Sequence, residues 1–219
     1  DNIHSGADRY RDEDMHPRVK DKVESIGDGR RILDVGCGTG ELVIPYLKQN
    51  QYYLGVDSSK VCLENASERF ELPILDYNDG DCNEKRVLRF GALPNCIPFN
   101  EREFFDEAIM SMVLHHVNDY KGSIDSVMNL LHSGAGYFIV TFDSDKREQL
   151  EGAFKKIKQR EGSKTMGDFN LPSGRLEDEV IYFHDNKDVH RHLRRYSDFI
   201  HCEENAGIFQ IFEGIKKRK

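Results

Sequence analysis

The feature that most constrains the fold of this 219-residue chain is an apolar run leading directly into alternating glycines, RILDVGCGTG at residues 31–40. The first half of this run is rich in long and β-branched apolar side chains, which is typical of a strand covered on both faces. The second half carries a glycine at every other position: Gly36, Gly38 and Gly40. Because glycine has no Cβ, the backbone can turn sharply there and approach a ligand closely. Residues 41–49 are predicted to continue as a helix, whose first N–H groups would favour a negatively charged ligand group. The sequence therefore predicts a nucleotide-binding strand–turn–helix unit.

The spacing of the glycines disfavours dinucleotides and P-loop triphosphates as ligands. Dinucleotide-binding turns follow the pattern G-x-G-x-x-G, whereas this turn reads G-x-G-x-G and has Glu41 where the third glycine would stand. A carboxylate beside a pyrophosphate is electrostatically unfavourable, which argues against NAD and FAD. The P-loop pattern is absent as well, because no G-K-[ST] closes the turn.

A carboxylate follows at the end of the next predicted strand, residues 52–57. Asp57 lies seventeen residues beyond Gly40. At the tip of a second parallel strand, an aspartate can accept hydrogen bonds from both hydroxyls of a ribose. The alternative is that Asp57 only caps the helix that starts near Ser59.

Together these motifs resemble the class I S-adenosylmethionine-dependent methyltransferases. The resemblance rests on DVGCGTG at 34–40, GVDSS at 55–59, Phe105–Asp106 opening a strand, and SMVLHHV at 111–117, and it covers roughly residues 30–142. It implies an α/β fold with a Rossmann-like, seven-stranded, mostly parallel sheet and helices on both faces. It also implies S-adenosyl-L-methionine as the cofactor.

The resemblance further implies which residues contact the cofactor. The glycine turn with Asp34 would hold the methionine end, Asp57 the ribose, Ser58 the region of the adenine, and Ser111 the methionine end from strand four. The family usually has an acidic residue after strand three, but this chain has FGALP at 90–94, so the backbone of Ala92 and Leu93 is expected there instead. Tyr10 would close over the cofactor or else anchor the first helix. The expected cofactor-binding residues are Tyr10, Asp34, Gly36, Cys37, Gly38, Gly40, Asp57, Ser58, Ala92, Leu93 and Ser111.

The length suits a single domain spanning residues 1–219. We expect residues 1–26 to form an N-terminal cap, 27–142 the cofactor-binding core, and 143–205 a segment that covers the substrate and contributes closing strands. Apolar periodicity predicts helices near 11–26, 41–49, 59–70, 123–131 and 145–160, and a loop over 161–176. Predicted strands are 31–35, 52–57, 87–91, 108–112 led by 105–106, 137–142, 180–183 and 208–212. A further apolar stripe, typical of a helix, joins Val189, Leu193, Tyr196 and Ile200.

The composition restricts which partners, metal sites and cellular compartments are expected. A net charge of −8 argues against a general nucleic-acid binder. Five cysteines without a C-x-x-C pair argue against a disulfide framework or a structural zinc site, and favour a reducing, cytoplasmic compartment. No apolar run approaches 18 residues, so no membrane partner is expected, and no metal site is predicted. The chain begins with Asp1 rather than Met, so targeting information could have been lost. The oligomeric state is not indicated.

Histidines supply the candidate acid–base groups. His115 and His116 follow strand four at the carboxyl edge, where open α/β sheets bind ligands, and a neutral imidazole can accept a proton from a hydroxyl, amine or thiol. The alternative is that one packs against the next helix and the other bonds to backbone. His184, expected directly after strand six, is a candidate substrate contact.

The class of methyl acceptor is inferred mainly from motifs that the sequence lacks. No [DN]-P-P-[YFW] follows strand four, and no Pro-Cys pair supplies a thiol for attack on a pyrimidine ring. The sequence favours methyl transfer to O or N of a small or medium-sized acceptor. The alternatives are a tRNA or protein methyltransferase acting with a partner, and a catalytically silent scaffold that binds the cofactor.

Overall fold

One mixed β-sheet forms the centre of the molecule in the computed structural model, which describes residues 15–76, 84–94, 103–149, 182–206 and 209–218. Its eight strands among these residues are β1 (Arg31–Val35), β2 (Tyr52–Asp57), β3 (Ile74–Leu75), β4 (Arg86–Phe90), β5 (Phe105–Ser111), β6 (Leu131–Phe142), β7 (Ile200–Ala206) and β8 (Phe209–Ile215). The order across the sheet is β3-β4-β2-β1-β5-β6-β8-β7. All neighbours from β3 to β6 are parallel, and β8 runs antiparallel to both β6 and β7.

Helices cover both faces of the sheet. They are α1 (Met15–Ser25), α2 (Lys60–Phe70), α3 (Tyr120–Leu130) and α4 (Asn186–Leu193). One buried cluster joins alternate strand residues to α1 and α2, and the other joins the remaining strand residues to α3 and α4. The predicted Rossmann-like architecture is confirmed, and the two-residue β3 is an eighth strand that the sequence did not predict. No helix of the described residues is both long and apolar enough to cross a membrane.

The central strand explains why the sheet has two covered faces. In β1, Ile32 packs toward α1 and α2, whereas Leu33 and Val35 pack toward α3 and α4. The parallel register pairs Val35 with Val56, so β1 and β2 end side by side. Because β5 flanks β1 on its other side, the segments following these three strands emerge at one edge.

The predicted helix over residues 41–49 is wrong. After Gly40 the chain forms turns and a single 3-10 turn, Ile44–Tyr46. Pro45 occupies the first turn, and Leu47 is already extended with φ −67° and ψ 132°. Ile44 is buried against the glycine turn, and the hydrogen bonds of the segment end at Leu47 N, which donates to Ile44 O.

The predicted strand at 180–183 is wrong at its described residues, 182–183, and the predicted helical stripe is interrupted. Residues 182–185 have no regular structure, and the edge strand is β7 instead. The stripe is interrupted because α4 ends at Leu193 and Ile200 opens β7, where it packs into the core. The predicted helix 145–160 begins in a 3-10 turn, Ser144–Lys146. The rest of that helix from residue 150, the loop 161–176 and residues 180–181 lie outside the described residues.

An ion-pair cluster joins three strands at the amino-terminal edge of the sheet. Asp106 Oδ2 accepts hydrogen bonds from Arg31 N at 2.8 Å and Arg31 Nε at 3.1 Å, while Asp106 Oδ1 lies 2.7 Å from His132 Nε2. These partners outweigh burial and lower the pKa of Asp106 to about 2. The carboxylate therefore links β1, β5 and β6.

We expect Asp106→Asn to lower the free energy of unfolding at pH 7 by about 1–2 kcal/mol, because the variant loses a partly exposed charged acceptor. The folded-state pKa lies below the ordinary value of 3.8. The contribution is therefore complete above about pH 4 and is lost as the pH falls toward about 2. Urea denaturation at several pH values measures it. Asp198→Asn, at the exposed ion pair with Lys217, is the control and should change little. An Asp106→Asn effect that does not shrink in acid would contradict this account.

Candidate active site

Three segments meet at the carboxyl edge of the parallel strands: the glycine turn after β1, Asp57 at the end of β2, and residues 112–117 after β5. The amides of Gly36 and Cys37 both donate to Val56 O, at 2.7 and 3.1 Å, which ties the turn to β2. The carboxyl end of β4 joins the same edge, because Gly91 N donates to Asp57 O at 3.0 Å.

The three glycines of the turn have different surroundings. All have positive φ, at 70°, 53° and 74° for Gly36, Gly38 and Gly40. A Cβ at Gly36 would lie 1.8 Å from Val113 Cγ2, and one at Gly40 would lie 2.3 Å from Ile44 Cδ1. A Cβ at Gly38 would meet no atom within 4 Å. Two glycines therefore allow close packing, whereas the middle one leaves open space for a ligand.

Asp57 faces the glycine turn. Its Oδ2 accepts a hydrogen bond from Gly38 N, and its Oδ1 accepts one from Ser59 N, both at 2.8 Å. The side-chain cap of α2 is Ser59, whose Oγ accepts from Cys62 N, so capping is not the whole role of Asp57. Burial raises the pKa of Asp57. Because each carboxylate oxygen can accept a second hydrogen bond, Asp57 keeps the acceptor capacity that a sugar diol requires.

A second acid lies buried beneath the turn. Asp34 is 3% exposed, and Tyr53 Oη donates a hydrogen bond to its Oδ2 at 2.8 Å. Burial, together with the charge of Asp57, raises the pKa of Asp34 to about 7, although the bond from Tyr53 acts in the opposite direction. Sequence reasoning missed Tyr53, which resembles an ordinary strand aromatic. The available signal was Gly55, because a glycine inside a buried strand marks a close approach by another group.

Residues 111–117 form the other wall. Ser111 Oγ is buried and has no hydrogen-bond partner among the described residues. Met112 has φ 60°, an uncommon conformation for this residue type, and directs Val113 onto Gly36. The 3-10 turn Leu114–His116 follows.

The two histidines of this turn differ in environment. His115 is 3% exposed, and its ring centroid lies 3.9 Å from that of His116 and 4.4 Å from that of Phe142. Burial lowers the pKa of His115 well below its ordinary value, so it is neutral at physiological pH. His116 is half-buried and lies close enough to Asp57 to interact with that carboxyl electrostatically. Of the pair, His116 has the better surroundings for a proton acceptor.

His184 also reaches this turn, although its predicted place directly after a strand is wrong. It lies in the irregular segment before α4, and its Nε2 is 2.9 Å from Leu114 O and 2.8 Å from Val117 O. Tyr182 N donates to His115 O at 2.8 Å, so the segment is held at neighbouring points. Because His184 Nε2 already lies within hydrogen-bond distance of two backbone carbonyls, contact of His184 with a substrate stays a prediction.

The remaining predicted residues have a simpler placement. Ser58 is exposed beside Asp57, and Ala92 and Leu93 follow Gly91 at the same edge. Cys37 is half-buried within the turn, and Tyr10 lies outside the described residues. No cluster with the composition of a metal site occurs in the described part of the chain.

Two cavities lie at opposite edges of the sheet, and they differ in their distance from the glycine turn. One of about 320 Å³ opens beside the glycine turn and includes Thr39 and Glu41 in its lining. A larger one of about 770 Å³ lies at the amino-terminal edge, where it is lined by charged residues such as Lys22 and Glu107 that form an ion pair. None of the predicted site residues lines either cavity, although Thr39 and Glu41 are their neighbours in the glycine turn, so cavity size does not identify the site.

The residues present fit S-adenosylmethionine by chemical type. The buried Asp34 carboxyl has no ion pair among the described residues and can meet an ammonium group. The open face of Gly38 admits a ligand, Asp57 can accept from a diol, and the unpartnered Ser111 hydroxyl can bond to a polar group. These groups lie at the edge where open α/β sheets bind ligands.

We expect Gly36→Ala to lower the free energy of unfolding by about 2–4 kcal/mol, because a positive φ and a clash with Val113 act together. Val113→Ala removes the clashing methyl groups, so the double variant should recover about 1–2 kcal/mol relative to additivity. Gly38→Ala is the matched control with positive φ but no clash, and should cost about 1 kcal/mol. Urea denaturation of the wild type and the four variants measures this. Strict additivity of the two substitutions would contradict the contact.

Comparison with known proteins gives a family assignment. A family model described as a methyltransferase domain matches residues 7–204. The rat mitochondrial ubiquinone biosynthesis O-methyltransferase is 29% identical over 127 residues, which cover 57% of this chain and 34% of that protein. The tRNA (carboxymethyluridine(34)-5-O)-methyltransferase of Arabidopsis thaliana is 29% identical over 139 residues, covering 60% of this chain and 28% of that protein. The chain thus spans only about a third of the length of these relatives.

Solved structures agree in fold. The 1,6-didemethyltoxoflavin-N1-methyltransferase of Burkholderia thailandensis, bound to 1,6-didemethyltoxoflavin and S-adenosylhomocysteine, has a TM-score of 0.60 at 15% identity, covering 99% of this chain and 84% of its own. A Thermotoga maritima methyltransferase described as a possible histamine N-methyltransferase has a TM-score of 0.59 at 18% identity, covering 93% of this chain and 89% of its own. The family match over most of the chain, on a sheet whose glycine turn and Asp57 meet at one edge, shows that this protein belongs to the class I S-adenosylmethionine-dependent methyltransferases.

Proposed function

We propose that this chain transfers the methyl group of S-adenosylmethionine to an oxygen or nitrogen of a small or medium-sized acceptor. The observation that carries the proposal is the contact of Asp57 with Gly38 N at 2.8 Å. This contact joins an acceptor-rich carboxylate, which lies close to His116, to the one glycine of the turn that faces open space.

Each part of the cofactor has a proposed set of residues. The methionine end lies against the turn of Gly36, Cys37, Gly38 and Gly40, with Asp34 beneath it and Ser111 beside it. Asp57 accepts from the ribose hydroxyls. The adenine lies near Ser58, Ala92 and Leu93, and Tyr10 closes over the ligand. When bound, the cofactor supplies a methyl group on a positively charged sulfur that is a good leaving group.

The chain itself then has to orient an acceptor and manage a proton. Orientation alone accelerates such a displacement strongly, because the reacting atoms must lie nearly in line. We propose that His116 takes the acceptor proton, since burial disfavours the charged form of His115. His184 would contact the substrate from the segment that crosses the histidine turn. Residues 1–26 and 143–205 cover the acceptor above the core formed by residues 27–142.

A second candidate is methylation of tRNA with the help of a partner. The Arabidopsis relative named as a tRNA methyltransferase supports it, whereas the net charge of −8 argues against unaided binding of nucleic acid. A silent scaffold would bind the cofactor without turnover. Screening phenols, amines, N-heterocycles and tRNA for release of S-adenosylhomocysteine separates these possibilities.

We expect Asp57→Asn to weaken S-adenosylmethionine binding at least about tenfold, because an amide replaces one acceptor oxygen and the negative charge. Isothermal titration calorimetry measures the dissociation constant. Glu64→Gln removes an exposed carboxylate on α2 and is the matched control. Equal affinity of the wild type and Asp57→Asn would refute the assignment of Asp57.

With an acceptor from the screen, we expect His116→Ala to lower kcat about 10²-fold while the affinity for S-adenosylmethionine stays within twofold. His115→Ala should mainly reduce stability, because it removes a ring packed against Phe142. Steady-state kinetics and thermal melting distinguish these effects. A kcat unchanged in His116→Ala would remove this histidine from the mechanism.

A further inference from the structure

A tyrosine and an aspartate form a buried pair beneath the glycine turn. We propose that Tyr53 is a positioning residue for the amino-acid end of S-adenosylmethionine: its hydroxyl holds the Asp34 carboxylate in place and in the charged form that an ammonium group requires. The inference rests on the proposed binding of the cofactor at this turn.

The geometry leaves this hydroxyl little freedom. Tyr53 is 2% exposed, and its ring packs in the core cluster that includes Ile32 and Leu63. Its Oη donates to Asp34 Oδ2 at 2.8 Å. A Cβ at Gly55 would lie 2.7 Å from Tyr53 Oη and 3.0 Å from Cys37 Sγ. The absence of a side chain at Gly55 therefore leaves room for the Tyr53 hydroxyl. Because the ring is fixed by packing, the hydroxyl stays within hydrogen-bond distance of the Asp34 carboxyl.

The groups around Asp34 do not include a positive charge among the described residues. The titratable groups that interact with Asp34 are Tyr53 from β2, Asp57 at the end of β2, and Cys37 in the turn. Two of these are neutral at physiological pH and the third is an acid. No cation of the described residues pairs with Asp34. A buried acid without a counter-charge is costly to the protein alone, and a ligand ammonium group would supply that charge.

The hydrogen bond decides the pH range of this interaction. Burial raises the pKa of Asp34 to about 7, and the bond from Tyr53 is the influence that lowers it. Removing the hydroxyl should therefore raise the pKa of Asp34 further. The carboxylate would then form only at higher pH, and binding of an ammonium-bearing ligand would shift with it.

The test uses two nucleosides that differ in the amino-acid end. S-adenosylhomocysteine carries the ammonium and carboxylate groups, and 5′-methylthioadenosine lacks both. Calorimetry between pH 6 and 8.5 is done on the wild type, Tyr53→Phe and Asp34→Asn. We expect the wild type to bind S-adenosylhomocysteine about tenfold tighter at pH 8 than at pH 6, following the ionisation of Asp34. Binding of 5′-methylthioadenosine should be independent of pH.

Tyr53→Phe should bind S-adenosylhomocysteine about three- to tenfold more weakly at pH 7 and approach the wild type at pH 8.5. Its affinity for 5′-methylthioadenosine should be unchanged. Asp34→Asn should lose most of the affinity for S-adenosylhomocysteine at every pH and keep that for 5′-methylthioadenosine. Tyr52→Phe makes the same change at the neighbouring, exposed position and is the control.

Two results would overturn the inference while leaving the proposed function intact. One is a Tyr53→Phe profile identical to that of the wild type. The other is an equal loss of both nucleosides at all pH values, which would show that Tyr53 only supports the fold. If the wild type binds neither nucleoside, the proposed function itself fails, and the inference fails with it.

Discussion

The contact between Asp57 and the amide of Gly38 joins the ends of two parallel strands, and the candidate site depends on it. Because β1 and β2 are in register, the turn after one strand lies against the last residue of the other. The same carboxylate accepts from Ser59 N, so it also connects the turn to the start of α2. Hydrogen bonds to a charged acceptor contribute about 1.5–3 kcal/mol each. One residue thus stabilises the turn and keeps further acceptor capacity at the carboxyl edge of the sheet.

Packing from β5 constrains the same turn from the opposite side. Val113 occupies the space that a side chain at Gly36 would need, and the left-handed backbone of Met112 brings it there. The glycine turn is therefore in direct contact with the segment that leads into the 3-10 turn Leu114–His116. His116, three residues beyond Val113, comes close to Asp57 on the same edge, whereas His115 is enclosed against Phe142. The positions of the glycine turn and of the segment that carries His115 and His116 are thus linked by van der Waals contact.

Asp34 is a buried acid whose ionisation opposes the stability of the fold. Its pKa in the folded chain lies above the ordinary value of 3.8. Its contribution to the free energy of unfolding is therefore largest below about pH 4 and is lost as the pH rises to about 7. At neutral pH the folded protein holds a buried carboxyl whose ionisation is unfavourable without a partner cation. Such groups are often retained where function requires them.

Local patterns in the sequence determined the strands β1, β2, β4, β5 and β8, the second half of β6, the helices α2 and α3, and the glycine turn with Asp57. Alternation of apolar residues, glycine spacing and strand-end acids act over a few neighbouring residues, so they can be interpreted without a structure. The false helix at 41–49 and the misplaced closing strand arose where local apolar content did not distinguish between several conformations. Only the tertiary structure decided which distant residues meet, as with Tyr53 and Asp34, 19 positions apart, or His184 and Leu114, 70 positions apart. Those pairings follow from the order and register of strands packed in three dimensions, and no local pattern encodes them.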